Sequence, residues 1–140
     1  MTVNADITIF NKRYIQEERT EKFFSTRIYG VSLYSKKGTS SGDNELKKSD
    51  TYTIRIPADA DTEGKEYTEQ LSYKSMDDAT YPGYWTLQPG AIIVRGISYL
   101  ETATETELRE KYSDVILVTN FTDNRDRCSD AMKHWRIGGE

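Results

Sequence analysis

The chain has 140 residues, of which 36% are hydrophobic and 30% charged, with a net charge of −4. That is the size of one domain, with one modest core and long polar connections. The acidic balance argues against a general binder of the phosphate backbone, and the longest apolar run, 115–118, falls far short of the about 20 residues that span a bilayer, so no membrane partner is expected.

The opening "MTVNADITIF" lacks a basic region followed by an apolar stretch, so no signal peptide is expected. Residues 6–10 alternate as a strand, with Ile7 and Ile9 on one face and Thr8 on the other. A longer strand is predicted over 25–35, with a bulge or bend at Gly30. Residues 35–50, "SKKGTSSGDNELKKSD", hold one apolar residue, Leu46, and read as a long polar loop. The cleanest alternation lies in 49–57: Tyr52, Ile54 and Ile56 face one way, Thr51, Thr53 and Arg55 the other, until Pro57 stops the ladder.

A second long polar loop is predicted over 58–83, with a helical turn around 69–76. Pro89-Gly90 then makes a tight turn into a strand over 90–101, with a bulge at Gly96. One short helix is predicted over 104–112. Thr104 and Glu107 have capping-box spacing, Leu108 and Tyr112 share a face, and Glu107 and Lys111 form an i,i+4 pair. Residues 114–121 are apolar on both faces, as in a central strand. Residues 133–138 close the chain with Trp135 and Ile137 on one face, which leaves His134 on the solvent side. The fold class is therefore mainly β: a single domain over 1–140, a small antiparallel β-barrel with one short helix and two long polar loops, at 35–50 and 58–83.

Motifs that carry chemistry are scarce. Asp59, Asp61, Glu63 and Gly64 resemble the start of a calcium loop, but the twelfth position is Gln70 and the segment follows a strand; a solvated acidic loop is the plainer reading. His134 is the only histidine, and no metal-ligand spacing surrounds it. Cys128, the single cysteine, sits near two arginines that could lower its pKa; as a lone cysteine it fits a reducing compartment and a partly buried structural role. There is no phosphate cradle and no nucleophile elbow. No cofactor and no metal are expected, and the chain is not expected to be an enzyme. The one positive pattern is basic: Lys36, Lys37, Lys47 and Lys48 flank the Gly/Ser-rich loop. In several copies such loops could line a channel carrying DNA; on a monomer they keep a loop soluble.

The segments "ADITIFNKRY", "YGVSLYSK", "SDTYTIRIP", "YWTLQPGAIIVRG", "KYSDVILVTNFTDNR" and "MKHWRIGG" resemble a family of small phage and prophage structural proteins. Its genes lie among those for minor capsid and head–tail joining proteins, and the likeness covers about residues 5 to 139. The order of strands, with a proline-ended strand and a "PGxxIVxG" strand, also resembles the head-completion or stopper proteins of tailed phages. Those are small β-barrels that form a ring beneath the portal. In that family a Gly-Asp pair often precedes the "IVxG" strand, whereas here Ala91 follows Gly90. The resemblance implies a structural subunit of the phage neck, assembled in the host cytoplasm and resident in the virion. It would form a hexamer or dodecamer ring of its own copies, touching portal or adaptor and tail proteins, with non-specific contact to packaged DNA. A tail component, such as a tail-terminator or tail-tube-like subunit, is the alternative. The counterpart of the stopper channel loop is either 35–50 or 58–83.

Overall fold

The computed structural model describes residues 3–15, 17–42, 45–77, 79–125 and 133–140, with backbone alone for 36–42 and 45–50. It is mainly β. The chain begins with three long strands, β1 (Ala5–Ile15), β2 (Thr20–Gly42) and β3 (Glu45–Pro57). Short elements follow: β4 (Glu66–Tyr67), α1 (Gln70–Ser75), a 3-10 turn (Tyr81–Gly83), β5 (Tyr84–Trp85), β6 (Ile92–Arg95), β7 (Thr102–Ala103) and α2 (Glu105–Lys111). β8 (Val115–Asp123) and β9 (His134–Gly139) complete the main sheet.

Antiparallel pairing runs β1–β6, β6–β8, β8–β9, β9–β3, β3–β2 and back through β2–β1, a closed circuit of hydrogen-bonded neighbours, with β7 added to β2. β2 makes this possible by serving two partners. Its first part pairs β1, from Ile15↔Thr20 to Ala5↔Val31, and its second part pairs β3 from Ser32↔Arg55 onward. The change of partner follows a register shift between Ala5 and Ile7. Gly30 sits there at φ +80°, and its N–H donates to the Asp6 carboxylate. This is the bulge expected at Gly30, and it turns the strand.

The alternation along each strand sorts side chains into two apolar layers. One set, including Ile7, Ile9, Ile28, Ile54, Ile56, Ile93, Ile116, Val118, Trp135 and Ile137, packs with Trp85 and Leu87 into the main core. The other face of β1, β6 and β8 contributes Phe10, Ile92, Val94 and Leu117, and α2 covers it with the fully buried Leu108. α2 is barely two turns, too short to persist without this packing. Thr104 caps it by accepting the Glu107 N–H, as its spacing predicts. The ion pair on its surface joins Glu105 and Arg109 at 3.3 Å, in place of the expected Glu107–Lys111 pair. Both arrangements are i,i+4, and this one also puts the acid in the first turn and the base in the last.

Several expectations need correction. Residues 35–42 and 45–50 are strand and not loop: β2 and β3 continue as a hairpin arm, paired from Lys36↔Thr51 to Gly42↔Glu45. Hydrophobic alternation reports burial, and a ladder growing out of an anchored sheet needs none to satisfy its backbone. The strand predicted over 90–101 stops at Arg95, where Gly96 takes φ +98° and the chain leaves the sheet. The loop predicted over 58–83 holds an isolated bridge between Tyr29 and Asp61 as well as β4, α1 and the 3-10 turn. The described residues accordingly hold two short α-helices, α1 falling on the predicted helical turn. His134 is buried rather than solvent-facing, with its Nε2 3.4 Å from the Asn124 side-chain nitrogen. Trp135 and Ile137 share the buried face as expected, and β8 is central, flanked by β6 and β9.

Candidate functional site

The four lysines singled out in the sequence belong to the hairpin arm. Lys36 and Lys37 lie on β2 opposite Thr51 and Asp50; Lys47 and Lys48 lie on β3 opposite Ser40 and Thr39. The backbone thus brings both lysine pairs onto one ribbon, while their side chains lie outside the described residues. β9 accompanies β3 only from Tyr52 to Pro57. Beyond Ser35↔Tyr52, seven further pairs of β2 and β3 have no third strand beside them among the described residues. At about 3.4 Å per residue the arm reaches roughly 20 Å past the sheet.

The acidic stretch 59–64 folds back onto β2. Asp61 bridges Tyr29, and the Asp61 carboxylate accepts the Glu63 N–H at 2.9 Å. Glu63 then meets Arg27 in a fork–fork pair: Arg27 Nε reaches both carboxylate oxygens at 2.9 Å and Nη2 reaches Oε2 at 2.7 Å. The Tyr29 hydroxyl donates to the same carboxylate at 2.8 Å. Hydrogen bonds from Arg27, then Tyr29, hold the Glu63 carboxyl below its usual range, and the Tyr29 phenol is raised in turn by that bond to Glu63. Glu63 therefore fastens the loop to the sheet, and among the described residues no three Asp, Glu, His or Cys converge as metal ligands.

Beside this pair lies a pocket of about 390 Å³, lined by Phe24, Arg27, Lys65, Tyr73, Tyr81 and Tyr84 among others. Lys65 Nζ donates to the Ser25 carbonyl at 2.7 Å and to Thr26 Oγ1 at 3.1 Å. Burial, then the neighbouring Arg27 charge, pulls the Lys65 ammonium below its usual pKa. A wider cleft of about 720 Å³ separates the β1–β2 turn from α1, between Lys12, Arg13 and Glu21 on one side and Lys74 and Asp77 on the other. Arg13 closes its floor. It donates to the Tyr73 carbonyl at 2.6 Å and to the Met76 carbonyl, and it stacks 4.3 Å over the Tyr81 ring. A cation on the last carbonyls of α1 complements the helix dipole, and α1 is tied down from that end.

A third feature lies on the outer face of the sheet. Ser32, Arg55, Arg136 and Thr122 stand directly opposite one another in sequence across β2, β3, β9 and β8. The sequence assigned Arg55 to the polar face of its strand, but only the β3–β9 register reveals that it faces a second arginine. Cys128 lies outside the described residues. No helix among the described residues is long and apolar enough to cross a membrane.

A family model, a family of unknown function (DUF6751), matches residues 1–140 of the chain. No curated protein and no solved structure matches it.

Proposed function

The chain belongs to this family of unknown function, and from that premise we propose that it is a structural subunit of a tailed-phage neck, a connector of the stopper type working in a ring between portal or adaptor and tail. The observation that carries the reading is the hairpin arm. A small body holds a two-stranded ribbon that projects roughly 20 Å and places four lysine positions along it. In a ring, several such arms would converge on a common axis and add their potentials, which suits transient contact with DNA phosphates. On a single copy with net charge −4 the same lysines would attract nucleic acid only weakly.

Two further observations support it. The circuit of pairings is what a small closed antiparallel barrel requires, and we read the body as such a barrel, as in the stopper proteins that the sequence resembles. The role asks for rigidity and surfaces rather than catalysis, and the polar side chains described above are spent on fastening loops to the sheet. The partners of this reading are copies of the chain and the proteins on either side of the ring, and its location is the virion.

Electron microscopy of the virion, with the chain labelled, tests the proposal. Rings at the head–tail junction and capture of portal or adaptor protein are expected. Rings at the far side of the junction, with capture of tail tube or terminator instead, would move the chain to the tail. Absence from the virion would end the reading.

A further inference from the structure

Arg55 and Arg136 stand directly opposite each other on β3 and β9. Like charges in that position destabilise a sheet. Arg55 is half-buried, its Nε is buried without a hydrogen-bond partner, and so is the hydroxyl of Ser32, the residue opposite it on β2. Among the described residues neither arginine meets a carboxylate. This face is therefore incomplete on its own: it concentrates positive charge and leaves donors unused.

The complementary face lies on α2. Glu107 and Glu110 are exposed and hold no ion pair among the described residues, where Arg109 is engaged by Glu105. Three residues apart on a helix, they sit about 5–6 Å from each other at Cβ. Two residues directly opposite across an antiparallel ladder are spaced by about 4.5–5.5 Å. The two pairs match in spacing and oppose in charge. They also lie apart. α2 covers the faces of β1, β6 and β8, with β6 at their centre, and in the circuit β1-β6-β8-β9-β3-β2 the strand opposite β6 is β3. The two faces cannot meet within one chain.

We propose that they meet between chains: α2 of one copy docks on the β3–β9 face of the next, with Glu107 and Glu110 against Arg55 and Arg136. Such a contact uses different surfaces on the two partners, so it repeats head to tail and closes into a ring when the rotation allows. It deepens the neck reading, resting on it for the ring, and names the residues that would set the register. Contacts of this kind fix partner and orientation and weaken with salt.

The test is a charge swap read by sedimentation of the full chain at low and high salt. Wild type is expected to self-associate at low salt and dissociate as salt rises. E107R/E110R and R55E/R136E are each expected to weaken association by about tenfold or more. Mixing the two, or combining all four changes in one chain, restores it. Because Arg55 is half-buried, thermal melting accompanies each variant; where R55E/R136E fails to fold, E107R/E110R, at exposed positions, carries the test with R136E alone as its partner in the mixture. A wild type that stays monomeric overturns the proposal, as does a variant that associates like wild type. A monomer that shifts a short DNA duplex, with the shift lost in R136E, also overturns it and gives the face to phosphate. Association that follows the swap in a chain absent from virions would sink the neck reading and leave this contact standing. Rings in virions that ignore the swap would do the reverse.

Discussion

Gly96 adopts φ +98°, and nothing stands within 4 Å of where its Cβ would lie, so substitution there probes backbone strain and not space. Gly96→Val is expected to cost on the order of 1–3 kcal/mol in chemical denaturation. A variant as stable as wild type would mean that the backbone relaxes to an ordinary strand conformation. Tyr73 offers a second test. Burial pushes its phenol up to about 12, against about 10 in an unfolded chain. The folded state therefore holds this proton more tightly. The associated stability is fully present below about pH 10 and is lost as pH rises from about 10 to about 12, by up to about 3 kcal/mol. Tyr73→Phe has no phenol to ionise, so the gap between wild-type and variant stability is expected to change by that amount across this window. Parallel curves from about pH 9 to about pH 12 would refute it.

Among the elements, the shortest depend most on single anchors. α2 is fixed by Leu108, which is fully buried with Phe10, Ile92 and Val94. Leu108→Ala is expected to destabilise the protein by about 2–5 kcal/mol and to lower protection of the α2 amides in hydrogen exchange. Protection unchanged from wild type would show that the Thr104 cap and the surface pair hold the helix by themselves. The long strands were legible because their apolar residues alternate, and α2 because its cap and its Leu108–Tyr112 face agree. The ends of the ladders were not. Where a strand lacks a neighbour, a side chain takes its place: the Asn4 amide exchanges two hydrogen bonds with Leu33, the Asn11 amide does the same with Thr86, and the Thr8 hydroxyl bridges Gly96 and Ser98. Such bonds join residues far apart in the chain, so no local period announces them. The overlong strand predicted over 90–101 is one result, because Thr8 takes over as partner once β6 has ended.

At the scale of the whole molecule, the same limit separates the lysine arm from the arginine row. The lysines at 36, 37, 47 and 48 stood out as a pattern, but the polar composition around them suggested a loop where the backbone forms a ribbon. The arginines stood out as nothing, because 81 residues of chain separate positions that the β3–β9 register makes neighbours. A ribbon and a loop predict different behaviour on truncation. A loop can be shortened anywhere. A ribbon keeps its register only if the new turn joins a hydrogen-bonded pair, here Lys36↔Thr51, which has the same parity as Gly42↔Glu45. Replacing residues 37–50 with Asn-Gly, whose φ preferences fit a two-residue hairpin turn, is expected to leave the melting temperature within a few degrees of wild type, because among the described residues no third strand runs beside the arm. Replacing the same residues with two alanines, which resist positive φ, is expected to fray the pairing back towards Ser35↔Tyr52 and to melt lower. If the arm serves the ring's channel, the Asn-Gly chain assembles but no longer supports infectious particles. Normal infectivity from that chain would remove the arm from the function and leave the body's outer faces as the working surface.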